Sequence, residues 1–162
     1  MEGKTFKNHY HEDAPVSSSP ENVFAYLDDH ARLSSHMSKS SWMMGGGSMK
    51  TEIDEGRGQK IGSHIRLSGK AFGMSMFLDE VVVRYEPPRF KAWETVGTPK
   101  LLVIGHYRLG IEITPRNGIS DLRVFIDYDL PESNAWLGRL FGRMYAKWCV
   151  RQMLYGVRDH FK

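Results

Sequence analysis

The chain has 162 residues, of which 41% are hydrophobic, 12% aromatic and 25% charged, a balance that suits a folded domain and excludes a disordered or low-complexity chain. Its 22 Lys and Arg against 19 Asp and Glu leave a formal charge of +3, too small an excess to predict a nucleic-acid partner. A lone cysteine, Cys149, excludes an internal disulfide; the first residues lack a secretory apolar run and no stretch reaches the ~18 apolar residues of a membrane span, so the reading is one cytoplasmic domain over residues 1–162.

In chain order, residues 5–13 alternate Phe6, Asn8 and Tyr10 with Lys7, His9 and His11, a short strand. Ser17-Ser18-Ser19-Pro20-Glu21 then starts a helix, with Glu21 three residues after Ser18 as a capping box and Val23, Phe24 and Leu27 as its apolar face. Residues 34–48 are rich in Ser and Gly around Trp42, Met43 and Met44, which read as a lid or as the anchor of a long loop. From about residue 49 to 130, turn signals recur at Gly56-Arg57-Gly58, Gly69 to Gly73, Pro87-Pro88, Gly97-Thr98-Pro99 and Asn117-Gly118. The intervals leave no room for crossover helices, so about six strands form an antiparallel meander that the first strand extends to seven. Residues 133–161 lack proline and carry helical periodicity over roughly 43 Å.

The Asn117-Gly118 turn makes residues 116 and 119 partners. One face then pairs Ile113 with Leu122, Ile111 with Val124, Leu109 with Ile126 and Tyr107 with Tyr128, all apolar or aromatic. The other pairs Glu112 with Arg123, Arg108 with Asp127 and His106 with Asp129, and sets Gly110 against Phe125. A slip of one residue destroys both patterns, so the first face is assigned to the interior and the second to solvent. Asp127 and Asp129 are thereby read as outer-face ion-pair partners rather than a catalytic carboxylate pair. His9 and His11 share one side of a strand, but no ligand cluster recurs elsewhere, and neither a metal nor a cofactor is expected. Gly56-x-Gly58 departs from a dinucleotide fingerprint and runs into a strand.

On the last helix, at about 100° per residue, Leu137, Phe141, Met144, Trp148 and Tyr155 share one arc. Gly138, Gly142, Ala146, Cys149 and Gly156 share a second, suited to close approach, and Arg139, Arg143, Lys147 and Arg151 form a basic stripe read as a solvated face. The large arc is expected to project into whatever space a curved sheet leaves.

An α+β order of strand, one or two short helices, six-strand meander and long terminal helix is the helix-grip order. The chain resembles the START-like (SRPBCC) superfamily, most of all its bacterial polyketide cyclase/dehydratase-like branch. The resemblance is carried by Ala14-Pro15-Val16 through Phe24, Tyr85-Glu86-Pro87-Pro88-Arg89 leading to Trp93-Glu94, Gly105-His106-Tyr107-Arg108 and Gly138-Arg139-Leu140-Phe141. It implies a cavity between sheet and last helix that takes a hydrophobic small molecule: a lipid, isoprenoid or aromatic polyketide. The candidate lining is Tyr107, Tyr128, Trp93, Phe141, Met144 and Trp148, although the sequence does not fix whether Trp93 or Glu94 faces inward. A cyclase or dehydratase is the alternative, with Tyr107 and Tyr128 as acids and Glu94 as base if it points inward. A protein-docking module using the Arg139 to Arg151 stripe is the third reading.

Overall fold

Asn117 and Gly118 both take positive φ, 46° and 84°, the mirror-image turn that matches strand twist, in the computed structural model, which describes residues 5–33, 48–71, 73–101 and 103–162. This turn joins β6 (Tyr107–Arg116) to β7 (Ile119–Tyr128), with Arg116 opposite Ile119 and Tyr107 opposite Tyr128 as the sequence requires. Seven strands form one antiparallel sheet, β1 (Asn8–Val16), β2 (Ser48–Ile53), β3 (His64–Ala71), β4 (Met74–Glu86), β5 (Phe90–Lys100), β6 and β7, in the spatial order β1-β7-β6-β5-β4-β3-β2. The first strand begins and ends three residues later than its alternation suggests and includes Pro15; an edge strand tolerates a residue with no N–H to donate.

Two short helices follow, α1 (Pro20–Leu27) and α2 (His30–Leu33). The cap of α1 is Ser19, whose hydroxyl accepts the Asn22 N–H at 3.3 Å, one residue later than the Ser18–Glu21 box expected; Ser18 instead accepts the Asn22 side chain at 3.2 Å. The last helix, α3 (Ala135–His160), starts two residues late because Asn134 sits in a left-handed conformation at φ 59°. Trp42, Met43 and Met44 lie outside the described residues.

α3 docks on β1, β7 and α1. It buries Gly138, Gly142 and Ala146 of the small-residue arc in its first half and Val150, Met153, Leu154 and Val157 in its second, while Cys149 and Gly156 of that arc are only half-buried. A side chain at Gly138 would begin 2.6 Å from Pro131, and one at Gly142 would begin 3.1 Å from the Val103 carbonyl oxygen and 3.6 Å from the Tyr128 ring. The basic stripe is partly used by the fold: Arg143 lies over the Tyr10 ring at 5.5 Å and Arg151 reaches Glu12 at 2.9 Å, both on β1. On the outer face of the sheet the charges pair more widely than the hairpin alone predicts. Arg108 closes on Glu94 at 2.5 Å with Asp127 at 3.9 Å, Asp127 also meets His9 at 2.5 Å, and Arg123 takes Asp13 at 2.7 Å.

Candidate functional site: a polar cluster between sheet and helix

The register of β5 against β6 sets Trp93 opposite Leu109 and Glu94 opposite Arg108, so Trp93 joins the inner stripe and Glu94 the outer face. Trp93 is 2% exposed, whereas Glu94 is bound to Arg108. Glu94 is therefore not an interior base; its position in the strand pleat turns it outward. The interior carboxyl is Glu80. On β4, Met76, Leu78, Glu80 and Val82 alternate inward, and Glu80 is 5% exposed on an otherwise apolar stripe.

Tyr107 O–H donates to Glu80 Oε2 at 2.5 Å, and the Trp93 indole N–H donates to the same carboxyl. Burial holds the Glu80 carboxyl up, at about 7 against 4.5, despite these two donors. Burial, then the Glu80 charge, also pushes the Tyr107 phenol well above its ordinary value. From α3, Tyr145 hydrogen-bonds the Cys149 sulfur one turn further on, and both groups are raised by burial and by the Glu80 charge, Cys149 to about 12. A thiol so raised is no nucleophile at neutral pH. One carboxyl, two phenols, an indole and a thiol thus gather between the sheet and α3, the ionisable ones biased to their neutral forms.

A second cluster lies beside the first, where the turn after α1 meets β4 and β5. Asp28 accepts from Lys91 Nζ at 2.6 Å and from Tyr85 O–H at 2.5 Å, and the Lys91 side chain is 0% exposed. Desolvation lowers the Lys91 amine while Asp28 opposes that shift. His30 is 3% exposed, stands edge-on to Trp93 at 4.9 Å between ring centres, and its Nε2 has no hydrogen-bond partner among the described residues. Burial and the Lys91 charge hold it neutral, at about 3.

The sequence-derived lining residues are distributed over this interior unevenly. Tyr107, Tyr128 and Trp93 are buried on the inner sheet face, with Tyr128 beneath Gly142 of α3. Phe141 and Met144 are 41% and 44% exposed, and Trp148 is half-buried with its ring 5.7 Å from Tyr145. Glu80, Lys91, Asp28 and His30 were not singled out from sequence; for Glu80 the signal existed, as the one charge in the stripe Met76, Leu78, Glu80, Val82. Among the described residues no set of three His, Cys, Asp or Glu groups gathers as metal ligands, and no helix is long and apolar enough to cross a membrane. Away from the interior, an open groove of about 480 Å³ on the outer side is lined by Asp13, Glu112, Thr114, Arg116, Asp121 and Arg123 among others.

A seven-stranded curved antiparallel sheet with paired short helices after its first strand and a long terminal helix against it defines a helix-grip protein of START-like type. The chain belongs to the family described as polyketide cyclase / dehydrase and lipid transport, whose model matches residues 9–161. Membership supports ligand binding in general. No curated protein matches the chain. Its fold is shared by protein CV1439 from Chromobacterium violaceum (16% identity, 95% and 96% of the two chains covered, TM-score 0.64) and norcoclaurine synthase from Thalictrum flavum (12% identity, 94% and 84%, TM-score 0.66). Major latex-like protein 151 from Panax ginseng is similar in the same way (11% identity, 95% and 97%, TM-score 0.60). At these identities the likeness is one of fold.

Proposed function

We propose that this protein binds a hydrophobic small molecule, of lipid, isoprenoid or aromatic polyketide type, between the inner sheet face and α3. Tyr107, Tyr128 and Trp93 supply the sheet side, and Phe141, Met144 and Trp148 the helix side. The observation that carries the reading is how α3 divides its surface. The second half of the helix packs through Val150, Met153, Leu154 and Val157, but the first half docks through Gly138, Gly142 and Ala146 and leaves the large apolar Phe141 and Met144 unspent. Phe141 lies one turn before Tyr145, and Trp148 stands against the Tyr145 ring. Tyr145 is the residue whose phenol senses Glu80, so this arc continues toward the polar cluster on the sheet. Large apolar groups that the core does not need, beside a few placed polar ones, are the composition of a ligand site. Native mass spectrometry of freshly purified protein with a thermal-shift panel of lipids and aromatics tests it: a co-purifying mass or a stabilising compound is expected, and neither appearing across the panel overturns it.

A second reading, a cyclase or dehydratase, is favoured by one feature, the contact between Tyr107 and Glu80. A phenol hydrogen-bonded to a carboxyl whose pKa lies near neutrality is an acid–base pair suited to enolising a ketone. Glu80 then takes the role first given to Glu94. In a cyclisation assay, Tyr107→Phe and Glu80→Gln are expected to lose turnover and Glu94→Gln to keep it; unchanged rates in the first two variants remove this mechanism.

A further inference from the structure

The polar end of this interior is built in a way that bears on the kind of molecule it accepts. Glu80 occupies a position between Leu78 and Val82 where an apolar side chain would fill the stripe without a desolvation cost. A carboxyl offers about four lone-pair sites, and the Tyr107 and Trp93 donors occupy two of them. The cluster therefore keeps hydrogen-bonding capacity that the protein's own groups, as described, do not consume.

The groups that bear on it are equally informative. From β4 itself the Asp79 charge acts from the other face of the strand, and around Glu80 stand Lys91 and Trp93 of β5, Tyr107 of β6, and Tyr145 and Cys149 of α3. Lys91 is the one cation in that set, and its ammonium is held by Asp28 at 2.6 Å. An anionic head group entering here would exchange its water for a carboxyl, two phenols and a thiol, with Lys91, the one cation among these groups, already held by Asp28, an unfavourable transfer. A hydroxyl or a ketone meets groups that accept from it or, when Glu80 is protonated, donate to it.

We propose that Glu80 and Tyr107 form the head-group subsite of the cavity and select an uncharged hydrophobic ligand bearing a hydroxyl or carbonyl over the carboxylate of the same skeleton. This inference rests on the binding reading above, deepens it to a ligand class and assigns the selection to one carboxyl.

Isothermal titration calorimetry with four compounds of one ring system tests it: 2-methylnaphthalene, 2-naphthol, 2-acetylnaphthalene and 2-naphthoate. The naphthol and the ketone are expected to bind about tenfold tighter than the hydrocarbon, one good hydrogen bond each, and the carboxylate to bind weakest. Glu80→Gln, nearly the same in shape, keeps hydrogen-bonding capacity and removes the charge, so it is expected to bring naphthoate to within a few-fold of the naphthol. Four equal affinities in the wild-type protein overturn the selection and leave the binding reading standing; binding by none of the four overturns the selection, and the binding reading falls with it only if the lipid and aromatic panel is silent as well. A penalty on naphthoate that persists undiminished in Glu80→Gln, with the variant folded by circular dichroism at the temperature of the titration, overturns the assignment to Glu80.

Discussion

Glu80 and His30 are two buried titratable groups held neutral by the same cause, desolvation, yet they act on stability in opposite directions. For Glu80 the folded-state value, about 7, lies above the ordinary 4.5, so between these pH values the folded protein binds the extra proton. Its contribution is fully present below 4.5 and is lost as pH rises through 7. For His30 the folded value, about 3, lies below 6.5, so the unfolded chain binds the extra proton and stability is lost as pH falls from 6.5 toward 3. The two slopes oppose each other between 4.5 and 6.5. Urea unfolding of Glu80→Gln across this range is expected to show stability rising with pH relative to wild type, by a few kcal/mol in all. Parallel curves for variant and wild type would mean that Glu80 ionises in the folded protein as it does in the unfolded one. These residues were only partly legible beforehand. Glu80 interrupts an apolar stripe and so announces itself, but Asp28 sits in the turn after α1 and His30 opens the four-residue α2, where no periodicity marks a side chain as inward.

At the scale of elements, legibility followed the turns. The β6–β7 hairpin was readable to the residue because a two-residue turn fixes the register and each face then tests it, down to Gly110, where a side chain would begin 2.3 Å from the Phe125 ring. The β4–β5 pair was not, because its register shifts between Phe77 and Asp79 and again between Val82 and Arg84, so no count from Pro87-Pro88 reaches Trp93 on a known face. On α3 the arcs describe only the first half of the packing: Gly138, Gly142 and Ala146 are buried, Val150, Met153, Leu154 and Val157, which no arc named, bury the second half, and Phe141, Met144 and Tyr155 remain exposed. That division makes two glycines of one helix behave oppositely. A methyl at Gly138 would begin 2.6 Å from Pro131 and 3.0 Å from the Val103 carbonyl oxygen, whereas one at Gly156 meets the Tyr26 hydroxyl at 3.7 Å, an ordinary contact. Alanine is preferred over glycine in a helix by up to ~1 kcal/mol. Gly156→Ala is therefore expected to stabilise by ~0.5–1 kcal/mol, and Gly138→Ala to destabilise by ~1–3 kcal/mol as α3 is levered off its seat. Urea midpoints of the two variants check this, and a stabilising Gly138→Ala would show that α3 shifts without cost.

Over the whole molecule, α3 presents two flanks to different parts of one sheet. Its basic flank rests on β1 through Arg143 over Tyr10 and Arg151 on Glu12, and its small arc sits on β7. The flank bearing Tyr145 and Cys149 is coupled to Glu80 and Tyr107 on β4 and β6 by charge. If a ligand binds there as proposed, it adds contacts between α3 and strands other than β1 and β7, its main seats among the described residues, and so ties the two sides of the sheet together through itself. Binding stabilises the folded state as RT ln(1 + [L]/Kd), about 2.7 kcal/mol at a hundredfold excess over Kd, and the protection is expressed wherever opening would release the ligand. With 2-naphthol bound, hydrogen exchange is expected to slow in residues 135–149 of α3 and in the β4 and β6 segments around Glu80 and Tyr107, while the β1 residues around Asp13 change little. The outer groove gives the contrary pattern. A ligand lodged among Asp13, Arg116, Asp121 and Arg123 would protect the ends of β1, β6 and β7 and leave the first half of α3 exchanging as before. Protection confined to that region would move the binding site to the outer face of the sheet and leave the Glu80 and Tyr107 pair as a structural contact.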